Sequence, residues 1–515
     1  MDKRILWVDD EADLLEPHLM FLRQRGYEVD TTTNGDDALE LMRQRPYDLV
    51  LLDEQMPGRR GLEVLMHLRR EDPHARVVMV TKSEEDHTLE EAIGRRVDEY
   101  LVKPASPRQV LSVVTRLLEG PQLRQQQAAQ DFASRFLELS QEKDAATSWE
   151  DYFRLYSELT DWDLRLTEAR ELGLVDSVRS LLVDLRREFG EYVRREYPGW
   201  VGGTTDGGPP LSTDLVKRWV VPRIGEKPLL FVIIDCLRLD QWRAIRQLLA
   251  ERFEVDEELY SSILPTATPY SRNALFSGLF PDELARLRPD WWATDEGSLN
   301  AFEDELFRDH LRELTGRDVP IHYEKTFTDE HADELVARVR GAMRNGGVIS
   351  LVFNFVDLLT HGRSESSLLM EVARDVPALR ALTRQWFERS AALRILRDAA
   401  DQGAEVVLTS DHGSILCERP ATVYARRDAT SNLRYKFGQD IRAEQPSAVF
   451  AVNDEKAIRF PTGRLATNYL IALEDYFFVY PTKLREYQAR YRGSFLHGGA
   501  TPEEMILPVA TLRPR

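Results

Sequence analysis

Residues 405–414, EVVLTSDHGS, begin as an apolar strand and then set a carboxylate and an imidazole side by side, Asp411 and His412, ahead of Gly413. Ligand-type side chains at the end of a buried strand are held on a rigid element, which is what a metal or catalytic site needs. Neighbouring side chains on a strand point to opposite faces, so the chain must turn here for both to reach one site, and glycine permits that turn. Two other apolar runs end the same way: 228-PLLFVIID-235 stops on Asp235 and 346-GGVISLVFNFVD-357 stops on Asp357. The helical stretch ALRALTRQWFERSAALRILRDAADQG, residues 378–403, separates the last two runs. Residues 213–515 therefore read as a large α/β sheet domain.

A smaller version of the pattern occupies residues 1–120. The short strands RILWV, YEVDT, YDLVLL, RVVMV and DEYLV alternate with helical stretches such as DALELMRQR. This predicts a five-stranded, doubly wound parallel sheet with ligands at the carboxyl ends of its strands. Between the two sheets, residues 121–212 read as a helical bundle and linker: from about 121 to 198 apolar residues recur at helical spacing, as in SWEDYFRLYSELTDWDLRL, with no strand pattern. YPGWVGGTTDGGPPLST, residues 197–213, is rich in glycine, proline and threonine and reads as a linker or lid from about 198 onward.

Composition limits the chemistry. The chain has 515 residues, 43% hydrophobic and 30% charged, which is the balance of folded domains rather than a disordered chain. Nowhere do 18 apolar residues follow one another and the first residues mix charge into their apolar run, so neither a membrane span nor a signal peptide is expected, and the cytoplasm is the expected compartment. Cys236 and Cys417 are the only cysteines, so a metal must rely on aspartate and histidine. A net charge of −19 opposes direct binding to duplex DNA, and no basic helix is present to offset it.

In the N-terminal sheet, Asp9 and Asp10 follow the first strand, Asp53 ends the third, Thr81 the fourth and Lys103 the fifth. Carboxylates converging at one sheet edge repel one another unless a cation sits among them, and oxygen-only ligands suit Mg²⁺. WVDDE, LVLLDEQMPG, the strand-final Thr81 and LVKPAS, in that order, resemble the receiver domains of bacterial response regulators. The resemblance implies that Asp53 accepts the phosphoryl group, that Asp9 and Asp10 hold Mg²⁺ with it, and that Thr81 and Lys103 contact the phosphoryl oxygens.

In the C-terminal domain the candidates are Asp235, Asp411, His412, the pair Asp357 and His361 in FVDLLTHG, and His497 in SFLHGGATPEEMILP. If the chain turns helical after its strand, the four-residue spacing places Asp357 and His361 on one side. Singly, each has an ordinary role; Asp235, for example, could cap the helix CLRLDQWRAIRQLL. What separates them from ordinary residues is their shared position at the ends of apolar strands. A nucleophile is offered by SSILPTATPYSRNALFSGLF, where Thr268 precedes Pro269, with Thr266 as its competitor. Threonine at the N-cap with proline next is usual helix-start chemistry, yet a hydroxyl there also feels the positive end of the helix dipole.

The ordered set of Asp235, the PTxT threonine, DxxxH, SDHG and HGG is similar to the alkaline phosphatase superfamily, chiefly its phosphodiesterase and phosphopentomutase-like members. By position, that resemblance implies one zinc held by Asp235, Thr268, Asp411 and His412 and another by Asp357, His361 and His497, with Asn273 as a phosphate-binding group. The CxPxR context of sulfatases is absent from the sequence. A receiver, a helical bundle and such a domain in series resemble the PorX-type response regulators that carry a PglZ domain and are associated with type IX secretion. This implies a sensor histidine kinase as partner, a phosphorylation-linked homodimer, and a two-zinc phosphodiesterase acting on small nucleotides through a threonine nucleophile. Two alternatives stay open: a non-catalytic module that binds a sigma factor or secretion component, and a phosphomonoesterase. Arg434 and Lys436 in SNLRYKFGQ are candidates for a substrate clamp, against the plainer role of a solvated surface strand.

Overall fold

The computed structural model describes residues 3–72, 75–81, 97–203, 207–292, 300–328, 330–363, 367–425, 432–461 and 467–515. It divides into two compact units: Met1–Phe132 with Ala169–Glu171, and Ala133–Glu168 with Leu172–Arg515.

The first unit contains a parallel sheet of β1 (Arg4–Val8), β2 (Glu28–Thr32), β3 (Leu49–Asp53), β4 (Val77–Thr81) and β5 (Glu99–Val102) in the order β2-β1-β3-β4-β5. β3 and β4 are buried at every position, which is why they read as unbroken apolar runs rather than alternating ones. One face packs Trp7, Leu15, Leu19, Val110 and Val114, and the other Val8, Leu52, Val64 and Leu65. Burying each such side chain contributes roughly 1.5–3 kcal/mol. The sheet order reverses direction between β1 and β3, and the register pairing Val8 with Leu52 brings Asp9 beside Asp53. The crevice at such a switch point is where doubly wound sheets bind ligands.

In the second unit the strands are β6 (Leu229–Ile234), β7 (Phe253–Ser261), β8 (Ile321–Thr326), β9 (Val348–Phe353), β10 (Glu405–Thr409), β11 (Ile415–Cys417), β12 (Arg419–Tyr424), β13 (Tyr435–Gly438), β14 (Arg442–Ala443), β15 (Val449–Val452), β16 (Asn468–Ala472), β17 (Tyr476–Val479), β18 (Ser494–Leu496) and β19 (Ile506–Pro514). The main sheet runs β7-β19-β10-β6-β9-β8, with β10, β6, β9 and β8 parallel and β19 antiparallel to both of its neighbours. β6 and β9 are fully buried, and β6 lies between β10 and β9 and parallel to both, so the three runs that lead to acidic residues end at one sheet edge.

Two local expectations change. Helix Leu172–Gly202 runs through Pro198 into the segment read as a linker, because Tyr197, Trp200 and Val201 are buried and their packing outweighs the backbone hydrogen bond that proline removes. Arg434 and Lys436 are buried rather than on a solvated strand. Arg434 is fully buried and bonds Glu504 Oε2 at 2.6 Å, while Lys436 Nζ lies 5.0 Å from the centre of the Tyr480 ring.

Candidate functional site

At the sheet edge of the first unit, Asp9, Asp53 and Thr81 are buried and Asp10 is exposed. One carboxylate oxygen from each of Asp9, Asp10 and Asp53 lies within 4.8 Å of the others. Lys103 Nζ donates to Asp53 Oδ2 at 2.7 Å and reaches Asp9 Oδ2 at 2.8 Å. Burial raises the pKa of Asp53, with the Lys103 ammonium working against that rise. The Lys103 pKa rises as well: burial opposes its charge, but the bonds to Asp53 and Asp9 outweigh it. Oxygen ligands around a lysine can hold a hard cation and accept a phosphoryl group.

In the second unit, β10 ends at Thr409 and the chain bends, so Asp411 and His412 lie beyond the strand rather than on its two faces. Gly413 is needed there for space: a Cβ would lie 1.9 Å from the Glu503 carbonyl oxygen, and its backbone is not left-handed. Asp235 follows β6, and Cys236 takes the turn with φ of 63°. The next helix, Leu239–Arg246, has Arg238 at its N-cap, so Asp235 is not the cap. Helix Phe355–Arg363 puts Asp357 and His361 on one face, and His497 follows β18.

Thr268 is the first residue of helix Thr268–Ser277; Ala267 occupies the N-cap, and no side chain caps the helix. The expected N-cap register is thus displaced by one, which releases the Thr268 hydroxyl. Its Oγ1 lies 3.0 Å from His412 Nε2. Thr266 Oγ1 instead donates to Gly499 O at 2.7 Å and accepts from Gly498 N at 3.1 Å, bracing the loop that carries His497. Asn273 Nδ2 donates to Pro269 O at 2.9 Å, and its Oδ1 accepts from Asn300.

Two donor groups form, Asp235 with Asp411 and His412, and Asp357 with His361 and His497. They adjoin, because the His412 and His497 rings stack with centroids 4.3 Å apart. His412 and His497 turn Nδ1 toward the carbonyls of Gly413 and Thr266, both at 3.2 Å, an orientation that leaves Nε2 for a ligand. Burial, with His412 and His361 alongside, pushes His497 down to about 3, so the ring is neutral near pH 7. His361 Nε2 faces His497 Nε2 at 2.9 Å, and both lie within 3.6 Å of Asp357 Oδ1, a buried oxygen with no hydrogen-bond partner among the described residues. Asp235 Oδ1 is likewise unpartnered and lies 3.5 Å from His412 Nε2. Lone pairs converging in this way fit a cation, and imidazole with carboxylate donors suits Zn²⁺ better than Mg²⁺.

Sequence reasoning missed Arg272. It is 1% exposed and donates to Asp235 Oδ2, to Asp411 Oδ2 at 3.0 Å and to Asn354 Oδ1 at 3.0 Å, with Glu303 3.7 Å away. Burial works against the Asp411 charge, but Arg272 and His412 outweigh it and lower its pKa. Asp235 goes the other way, pushed well up by burial and by the charges of Asp411 and Asp357 despite Arg272. Asp357 stays below the usual carboxylate range, because the surrounding imidazoles outweigh its burial. The four-residue spacing from Thr268 was the available signal, since it places Arg272 on the same helix face.

Comparison with protein families covers both units. Residues 5–115 match the response regulator receiver domain, 122–201 the PorX response regulator linker domain, and 215–512, more than half of the chain, the BREX system PglZ alkaline phosphatase-like domain. The chain belongs to the PglZ alkaline phosphatase-like family, here in series with a receiver and a PorX linker as in PorX-type response regulators. Over 117 residues it is 38% identical to the transcriptional regulatory protein ResD of Bacillus subtilis, covering 23% of this chain and 48% of ResD. Over 120 residues it is 38% identical to the alginate biosynthesis transcriptional regulatory protein AlgB of Pseudomonas syringae, covering 23% and 27%. The chain thus spans about half or about a quarter of the length of these relatives. The response regulator TrrA of Thermotoga maritima is 37% identical, with 22% of this chain and 99% of that one covered and a TM-score of 0.21. Among the described residues no helix is long and apolar enough to cross a membrane.

Proposed function

We propose that the protein is a response regulator whose output domain is a two-zinc phosphodiesterase acting on small nucleotides or related diesters. The observation that carries this reading is the Thr268 hydroxyl lying 3.0 Å from His412 Nε2, where the two donor groups adjoin. Asp235, Thr268, Asp411 and His412 would hold one zinc, and Asp357, His361 and His497 the other. Zinc so held would supply positive charge that lowers the pKa of a hydroxyl and offsets the negative charge of the phosphoryl oxygens. Thr268 Oγ1 attacks phosphorus in line, its bond forming as the bond to the departing alcohol breaks, and the departing oxygen is protonated. Water then displaces Thr268 from the phosphothreonine, restoring the hydroxyl and releasing a phosphomonoester. In this scheme Asn273 holds Asn300 against the Thr268 carbonyl, and contacts a phosphoryl oxygen only when its amide turns from Pro269.

Elemental analysis of the purified protein is expected to find about two zinc ions per chain. His361→Ala should lower this to about one and abolish hydrolysis of bis-p-nitrophenyl phosphate, since each donor group supplies one site. A native protein that neither contains zinc nor takes it up overturns the reading.

The receiver supports a sensor histidine kinase as partner, Mg²⁺ bound at Asp9, Asp10 and Asp53, and phosphorylation of Asp53 that shifts the protein toward a homodimer. The PorX-type architecture supports a cytoplasmic role in the control of type IX secretion. Incubation with acetyl phosphate and Mg²⁺ should retard the protein on a phosphate-affinity gel, and Asp53→Ala should remove the shift completely. A shift that persists in Asp53→Ala would identify another acceptor.

A further inference from the structure

Helix Trp149–Glu168, within the matched linker, reaches the first donor group through a chain of buried charges. Asp163 on that helix accepts from Arg380, whose Nε donates at 3.1 Å to Asp240 Oδ2. The other oxygen of Asp240 accepts from Arg238 Nε at 2.8 Å, and Arg238 Nη1 donates at 3.0 Å to the carbonyl of Ser414. All four charged side chains are buried. The chain therefore starts in the linker and ends on the loop that carries Asp411 and His412.

Arg238 stands where the ligand-bearing segments meet. It follows Asp235 by three residues, and its guanidinium lies 6.0 Å from the centre of the Phe495 ring, two residues before His497. The carbonyl that it holds, at Ser414, is next to the Gly413 carbonyl toward which His412 turns Nδ1. A shift of Ser414 thus turns the His412 ring and moves Nε2 away from Thr268 Oγ1. Metal-ligating histidines depend on outer partners of this kind for their orientation.

Asp240 decides how firmly Arg238 stays there. Each of its oxygens takes one guanidinium, although an arginine and a carboxylate favour two parallel bonds to each other. Without Arg380, Oδ2 is free, and Arg238 gains a second bond to Asp240 by turning from Ser414. Asp163 prevents this by holding Arg380 from the linker side. Helix Leu172–Gly202 supports the same loops. Arg186 Nε donates at 2.7 Å to Glu503, whose carbonyl packs against Gly413, and Tyr197 Oη accepts at 2.8 Å from Leu264 N, four residues before Thr268.

We propose that Arg238 is a positioning residue for the first zinc site, held from the linker by Asp163 and Arg380, so that the alkaline phosphatase-like domain needs the linker helix to bind that ion tightly. The inference rests on the two-zinc reading above and is measured by metal affinity rather than hydrolysis.

The test is zinc retention by the full-length protein in competition with a chelator. Arg238→Lys keeps a charge beside Asp240 but cannot also bond Ser414, and Asp163→Asn removes the charge that holds Arg380. Each is expected to weaken one of the two ions by about 10- to 100-fold, as loss of an outer partner does, and to leave the other unchanged. The double variant should lose no more than the worse single variant, because both changes break one chain. Should Arg238→Lys not fold, Asp163→Asn carries the test alone. Arg243→Gln is the control: Arg243 bonds the same linker helix, at Ser157 O at 2.6 Å and Asp161 at 3.0 Å, but its other partner is Glu257 on β7. This variant should hold both ions as the native protein does. The visible spectrum of the cobalt-loaded protein, which reports geometry around the ion, should change in Asp163→Asn and not in Arg243→Gln. The proposal fails if Asp163→Asn keeps native affinity for both ions, if Arg243→Gln weakens zinc equally, or if the two single losses multiply in the double variant. A native protein that takes up no zinc overturns the two-zinc reading together with this inference, whereas equal uptake by native and variant proteins overturns this inference alone.

Discussion

Replacing Thr268 with alanine is expected to lower hydrolysis of bis-p-nitrophenyl phosphate by about a thousandfold or more while leaving the fold and the second zinc in place. That loss corresponds to about 4 kcal/mol of transition-state stabilisation. The expectation rests on how the two candidate hydroxyls are used. The Thr266 oxygen is engaged on both sides, by Gly498 and Gly499, whereas Thr268 makes no cap and turns its oxygen to His412. Thr266→Ala should therefore act through the His497 loop and weaken zinc retention, with hydrolysis restored by excess zinc. Thr268→Ala should not respond to added zinc. Thr268→Ser keeps the nucleophilic oxygen and should retain measurable turnover. If wild type and Thr268→Ala are equally inactive with zinc fully loaded, the domain is a binding module, as a contact for a sigma factor or secretion component would require. If zinc-loaded Thr268→Ala hydrolyses the diester at the native rate, the threonine mechanism is wrong. Comparing mono- and diester rates on one preparation separates phosphodiesterase from phosphomonoesterase.

Much of this architecture is legible in the sequence because both sheets carry their polar residues where apolar strands stop. A strand such as FVII followed by Asp235 marks its own end and the edge of the sheet at once, and the four-residue spacing of Asp357 and His361 becomes a shared face once helix Phe355–Arg363 forms. Features that depend on contacts between distant segments were not legible. Arg272 resembles a surface residue of its helix, and only the meeting of β6, β10 and helix Thr268–Ser277 shows that it is buried between two aspartates. Arg434 sits in a polar stretch, yet Glu504, 70 residues on in the short helix Pro502–Met505, draws it inside. The register of Thr268 turned on a single residue, which composition cannot resolve: the threonine–proline pair satisfies either register, and the difference decides whether the hydroxyl caps a helix or faces a histidine. Gly413 allowed a similar ambiguity, since a glycine needed for close packing and one needed for a left-handed turn look the same in one sequence.

Arg272→Leu should produce the largest change in stability of any single substitution near the site. In the native arrangement one guanidinium serves Asp235, Asp411 and, at 3.7 Å, Glu303, all of them buried. Removing it leaves Asp235 and Asp411 without their guanidinium in a site that water reaches poorly, while Glu303 keeps Lys325 at 3.1 Å, and breaking a buried pair in this way typically costs about 3–5 kcal/mol. Lysine keeps the charge but cannot reach three acceptors from one planar group, so Arg272→Lys should fall between native and leucine. Zinc gives the comparison its direction: a divalent ion at Asp235, Asp411 and His412 brings positive charge to the same two carboxylates. Urea denaturation followed by tryptophan fluorescence should therefore show a deficit in chelated Arg272→Leu that shrinks when zinc is added. The native protein should gain less from zinc than the variant does, because its guanidinium already offsets part of the repulsion that the ion relieves. Equal stability of native and leucine forms without metal would mean that Asp235 is protonated and neutral in the folded protein. The charge balance at the first site would then rest on Asp411 alone.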